Sequence, residues 1–310
     1  MLLYLFKINI KSKRTIQLLL FFCYYIVKSG EYMNAKFIVN DYVLIWNLLF
    51  QASISEEIYN LKQKLWDTYR KEYNSTYIDK ENIIKDLKNF IPNNDTIYNI
   101  ILGKDEYALI KKSTEKHRLE VMEVWDKQKK ITTNLYKNIF RKEIPDYHIL
   151  VVSKELNVIE HVLTNSVVLG KELDEKNPLK ILLQINLIIF MNNIKKYKEE
   201  EVPFKKAIVE LAVLNEYATN LSNKSCYLSG SPELLNLKRW LYPYWLMYLG
   251  VPKDEFDDYM KRDKIEFNKE KYSYEKELKN MNIEEFIDFC IRNQKYIIRE
   301  CHHKIEEEII

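Results

Sequence analysis

The sequence predicts a predominantly α-helical α+β protein, with a helical N-terminal half followed by a small sheet and helices packed on it. Three observations lead there. Only 5 Gly and 7 Pro occur among 310 residues, so turn-formers are few and connections are short. Apolar residues recur at helical spacing behind capping signals over most of the chain. Strand signal is confined to two neighbouring runs rich in Val, Leu and Ile, YHILVVS (147–153) and NSVVLGKEL (165–173).

The N-terminus comes first. A basic segment, Lys11 to Arg14, precedes an apolar run from Ile16 to Val27. That run is shorter than the roughly 20 residues of a membrane span. It has the length of a signal core, but no small-x-small cleavage site follows, and LLFFC lacks the small residues expected before a lipidated cysteine. The codons of Ser29, Gly30, Glu31 and Tyr32 can spell a purine-rich ribosome-binding sequence ahead of Met33. The reading preferred over an anchor or a cleaved signal is therefore a start at Met33 and a cytoplasmic protein. Membrane association or export follows only if residues 1–32 are translated.

Residues 33–52 form an apolar opening segment of a helical region spanning 33–144. Ser53 and Glu56 match the S-x-x-E capping box, and the next helix puts Ile58, Leu61, Leu65, Trp66 and Tyr69 on one face. Asp79 opens a short helix with Ile83, Ile84, Leu87 and Phe90 inward, ending near Pro92; Asp95 opens a third, closed by Gly103. From Asp105 to about Phe140 runs a long, highly charged helix that includes His117 and Trp125 and whose charges form a solvated face. Pro145 ends this half, and the two strand runs open the second, 145–310. Asn177 as cap and Pro178 at the first helical position start a helix to about Tyr197. Another helix runs from near Pro203 to about Asn220. A third, SPELLNLKRWLYPYWLMYLG (231–250), is expected to break at Pro243. A last helix begins at Asn282, with Glu285 completing an N-x-x-E cap.

Composition excludes several classes. Hydrophobic residues at 47% and charged residues at 30% are globular rather than disordered proportions. Lys, Asn, Ile and Tyr are abundant, and an AT-rich genome produces the same bias. The net charge of +3 comes from 48 basic and 45 acidic side chains that interleave, so no basic stripe exists for nucleic acid. The four cysteines, Cys23, Cys226, Cys290 and Cys301, show neither a disulfide framework nor paired zinc-ligand spacing, which fits a reducing compartment. No Gly-rich phosphate loop is present.

Two fragments carry the functional reading: KNPLKILLQINLIIFMNNIKKY (176–197) and VELAVLNEYATNLSN (209–223). Residues 145 to 222, with their strands, first helix and a second helix bearing Asn215-Glu216-Tyr217-Ala218, resemble the gluzincins, the glutamate-bearing zinc metallopeptidases. That family orders a strand or two, an edge strand over the cleft, an H-E-x-x-H helix and a helix supplying a Glu ligand. The resemblance places Glu216 at that ligand position. It puts Gln184 in the first His slot, Ile185 in the general-base slot and Ile188 in the second His slot. Isoleucine neither binds zinc nor takes a proton, so the implied protein has a zincin-like core without zinc, cofactor or hydrolytic chemistry. The residues implied for its vestigial or binding cleft are Gln184, Asn186, Asn215, Glu216 and Tyr217. Tyr244 and Trp245 join them from the aromatic run 239–250, which lines a groove in one reading and fills a core in the other. A buried Glu216 needs a partner, with Gln184, Asn186 or a Lys or Arg as candidates.

Three other groupings offer less. Asn157, Glu160 and His161 resemble the inverted zinc motif, with Asn in place of its first ligand. Cys290 with Cys301, His302 and His303 matches no standard metal spacing. Ser225-Cys226-Tyr227 has no base in the sequence nearby. The expectation is a non-catalytic relative of a zinc metallopeptidase that binds a peptide or protein partner. Its rivals are a structural or interaction helical protein with no peptidase relation, and an enzyme with non-zinc chemistry around Glu216.

Overall fold

The computed structural model describes residues 35–77, 79, 92, 95–141, 146–163, 165–219, 230–263, 265–267 and 269–303. It is an α+β architecture dominated by helices, built around a four-stranded mixed sheet. Strand β1 (Ala35–Ile38) is followed by helices α1 (Asp41–Phe50), α2 (Glu56–Thr68), α3 (Arg70–Thr76), α4 (Thr96–Leu102) and α5 (Asp105–Phe140). Strands β2 (Tyr147–Val151), β3 (Val158–Leu163) and β4 (Ser166–Gly170) come next. The chain continues as α6 (Lys180–Asn193) and α7 (Val202–Glu210), which runs on as a π-helix (Leu211–Tyr217). It then forms α8 (Leu235–Tyr248), α9 (Lys253–Arg262), β5 (Ile265–Phe267), α10 (Glu275–Leu278), α11 (Ile283–Arg292), α12 (Gln294–Glu300) and β6 (Cys301–His303).

The sheet order is β1-β2-β4-β3. β1 and β2 pair in parallel, Ala35 opposite Tyr147, as do β2 and β4, His148 opposite Ser166. β3 pairs antiparallel with β4 from Val158 opposite Gly170 and forms one edge, with an irregularity between His161 and Leu163. Alternation along the strands splits the core in two. Phe37, Ile149, Val151, Val167 and Leu169 face one layer, with Val121 to Phe140 of α5 and the helices from α6 onward. Leu150, Val152 and Val168 face the other, with α1, Ile58 and Leu65 of α2, α4 and Tyr107 of α5. Strands covered on both sides read as continuous apolar runs, which is why 149–152 and 167–169 carry no polar alternation.

Two segments were not read as strands. Residues 35–38, the opening of the expected helical region, form β1 and join the sheet. Residues 158–163 form β3. Helix α5 has the expected bounds, and its buried positions 114, 117, 121, 125, 132 and 136 make one stripe at helical spacing. The Asn282 cap also forms as expected: Oδ1 accepts from the Glu284 and Glu285 N–H groups, and Glu285 returns a bond from the Asn282 N–H at 2.8 Å.

Three expectations are corrected. The cap of α2 is Ser55, whose Oγ accepts from Ile58 N–H; Ser53 Oγ instead accepts from Ser55 N–H at 3.0 Å in the preceding turn. Helix α6 starts at Lys180, because Asp174 Oδ1 holds the Lys176 and Asn177 N–H groups in a turn first. It stops at Asn193, where Lys205 Nζ binds the carbonyls of Ile194 and Lys195. Helix α8 runs unbroken through Pro243, whose missing N–H is offset by burial of Leu241, Tyr242 and every residue from Tyr244 to Tyr248. The expected helix after Asp79 and the leader 1–32 lie outside the described residues. Among the described residues no helix is long and apolar enough to cross a membrane.

Candidate functional site

Helix α6 packs against β3, β4, α7 and the π-helix. Its buried arc consists of Ile181, Leu182, Ile185, Asn186, Ile189 and Phe190. Gln184 and Ile188, one turn apart, share the opposite, half-exposed arc with Leu187 and Met191. Ile185, in the position the resemblance gives to a general base, is fully enclosed.

Asn186 belongs to the interior. Its Oδ1 accepts from the Tyr136 hydroxyl of α5 and its Nδ2 donates to Leu182 O at 2.7 Å. Tyr217, on the π-helix, shares a 2.6 Å bond between its hydroxyl and Thr132 Oγ1, and also meets Asn186. Burial pushes the Tyr217 phenol up to about 12, against the opposing pull of Thr132 and Asn186, and holds Tyr136 well above its ordinary value. Both phenols are neutral, and their hydrogen bonds tie α5, α6 and the π-helix together.

The π-helix carries Asn215 and Glu216. A π turn inserts one residue per turn, so these side chains project at angles an α-helix would not give them. Asn215 is buried, and its Oδ1 meets no donor among the described residues. Glu216 is half-buried and accepts from Trp245 Nε1 of α8 at 3.3 Å. Tyr244 and Trp245 are enclosed: Tyr244 meets the Phe267 ring edge-on at 5.5 Å, and Trp245 stacks on Tyr248 at 5.3 Å. One partner of Glu216 is thus an indole from the aromatic run.

A second polar cluster was missed by sequence reading. Glu210, at the end of α7, pairs through Oε2 with Lys238 Nζ of α8 at 2.6 Å, with Lys238 fully buried. Its Oε1 accepts from Ser231 Oγ at 2.5 Å, and the Ser231 N–H points between both oxygens. Gly230 adopts φ +112°, and a Cβ there would strike the Glu210 carboxylate. The available signal was one carboxylate inside the apolar run 207–214.

No metal geometry emerges. Among the described residues no three His, Cys, Asp or Glu side chains converge to hold an ion. Glu160 and His161 fall on β3, and Cys301 to His303 on β6, with side chains outside the described residues. Cys226 lies outside them entirely. Cys290 is fully buried and its thiol is pushed well above the ordinary range by that burial, so it is an inert core residue. The half-exposed face of α6 carries one amide, Gln184, among the apolar side chains of Leu187, Ile188 and Met191. Comparisons with protein-family models, with curated proteins and with solved structures gave no match to this chain.

Proposed function

We propose that this chain is a non-catalytic relative of the zinc metallopeptidases that binds an extended peptide beside β3, over the Gln184–Ile188 face of α6. One observation carries the reading. An antiparallel edge strand, β3, lies next to β4, and the chain then passes directly into α6 and on to the helix bearing Glu216. An open strand edge gives a peptide main-chain hydrogen bonds, and the half-exposed apolar side chains of α6 give it side-chain pockets. The chemistry available is binding. Gln184 donates and accepts, Glu216 supplies negative charge, and Ile185 and Ile188 remove both proton transfer and metal ligation.

The test is a peptide array probed with the folded protein, followed by fluorescence anisotropy on the best sequences. Extended peptides should bind, and Ile188→Lys, at a half-exposed position, should weaken them at least about tenfold while thermal unfolding stays near that of the parent. Purified, tag-free protein should hold no stoichiometric zinc by elemental analysis. Absence of any peptide binding, or binding indifferent to Ile188→Lys, sinks the proposal.

A further inference from the structure

Helix α2 carries two stripes at helical spacing. Ile58, Leu61 and Leu65 enter the core. Tyr59, Lys62, Gln63 and Trp66, at i, i+3, i+4 and i+7, do not. With Ala52 and Ser53 of the preceding turn and Tyr73 of α3, they line a recess of about 550 Å³. That is the size of a small-molecule site, roughly 300–1,000 Å³. Its aromatic side is fixed on one flank: Tyr73 donates its hydroxyl to Leu49 O at 2.5 Å and meets the Trp66 ring edge-on at 5.3 Å. Tyr59, on the other flank, is 57% exposed. The charge of the recess is unanswered. Lys62 is half-buried, and its Nζ donates to the carbonyl of Gln51, the residue that closes α1. That acceptor is neutral and leaves two of the three ammonium protons unused. The Arg70 guanidinium lies 4.9 Å over the Trp66 ring. Among the described residues no carboxylate lines the recess, and neither Lys62 nor Arg70 pairs with one. Burial without such a neighbour pushes the Lys62 ammonium below its ordinary pKa.

We propose that this recess binds small aromatic carboxylates, with the carboxylate on the Lys62 ammonium and the ring against Tyr59 and Trp66. The carboxylate supplies the counter-charge that Lys62 lacks, and a charge-assisted bond to a partly desolvated ammonium is stronger than one made in open water. Gln63, beside Lys62 on the same stripe, provides an amide N–H as a second donor. Three of the seven lining side chains are aromatic, so the body that packs best between them is a flat ring. The same rings would suit a cationic ligand, but Lys62 and Arg70 repel one, and that sign selects the anion. The recess belongs to the layer of α1 and α2, across the sheet from α6, so its ligand is independent of anything held on the α6 face.

Phenylacetate is the probe, with phenylacetamide as the control without charge and acetate as the control without a ring. Ligand-observed NMR titration of the folded full chain at neutral pH and constant ionic strength reads the affinity. Phenylacetate should saturate with a Kd of about 1 mM or below, and each control should bind at least about tenfold more weakly. Lys62→Met should weaken phenylacetate at least about tenfold and leave phenylacetamide unchanged. Tyr59→Ser, at an exposed position where thermal unfolding should stay near that of the parent, should weaken phenylacetate at least about threefold. The Tyr59 variant and the two controls decide the matter even if Lys62→Met loosens the end of α1. The site is rejected if phenylacetate fails to saturate by about 10 mM, if either control matches it, or if a folded variant binds it as the parent does.

Discussion

Replacing Glu210 by Gln keeps the shape of the carboxyl group and its ability to accept from Ser231, and removes only the charge that faces Lys238. At the observed 2.6 Å, an effective dielectric of about 20 gives a Coulomb attraction of about 6 kcal/mol, much of it offset by the cost of taking both groups out of water. The net pair is thus worth little, but losing one member is not. Lys238 has a side-chain exposure of 1%, so Glu210→Gln removes the counter-charge of an enclosed ammonium and should destabilise the fold by about 3–5 kcal/mol. Lys238→Met should cost less, about 2–3 kcal/mol, because Glu210 keeps both Ser231 donors and reaches solvent at 11% exposure. The double variant should cost at least about 2 kcal/mol less than the two single changes combined. Urea unfolding of the four proteins at neutral pH measures the cycle. A Glu210→Gln variant within about 1 kcal/mol of the parent, or an additive double variant, would refute the assignment of Lys238 as the enclosed partner.

Other expectations follow from named contacts. Gly230→Ala should cost at least about 2 kcal/mol in the same unfolding assay, because φ +112° and the Glu210 carboxylate both exclude a Cβ. Arg141 binds the carbonyls of Lys279, Met281 and Tyr248 and lies over the Tyr248 ring at 4.3 Å. Arg141→Ala should therefore cost about 3 kcal/mol, and Arg141→Lys should recover less than half, since an ammonium lacks the planar fork. Glu216→Gln still accepts from Trp245, so unfolding should stay within about 1 kcal/mol of the parent; a loss of several kcal/mol would show that Glu216 faces a cation.

What the sequence discloses is what is decided locally. The Asn282 cap depends on residues two and three positions away, and α5 on a stripe of spaced apolar residues, so both were readable. β1 and β3 were not, for a different reason. Residues 35–38 open an apolar run that continues into α1, and β3 carries Glu160 and His161 mid-strand; each is a strand because β2 or β4 supplies its hydrogen bonds. Continuity of α8 through Pro243 likewise depends on the rings packed around it rather than on its own propensity. Around the candidate site, Gln184 and Glu216 are accessible, while Asn186, Tyr217, Tyr244 and Trp245 are enclosed. Sequence position alone does not distinguish those two groups. Glu210 and Lys238 lie 28 residues apart, beyond the reach of any local pattern.

The order of the sheet also sets the order in which it can be made. Among the described strands β1 is synthesised first, its neighbour among them is β2, and Ala35 must wait for Tyr147. At roughly 5–20 residues per second of translation, that interval is about 6 to 22 s. Helices α1, α2 and α4 can collapse together in that time, because their buried side chains meet one another as well as the sheet. The nascent chain thus assembles one layer of the protein against strands that do not yet exist, and β1 stays an unmatched edge until β2 leaves the ribosome. A chain halted before residue 147 has the helices of that layer and none of β2, β3 and β4 to close them.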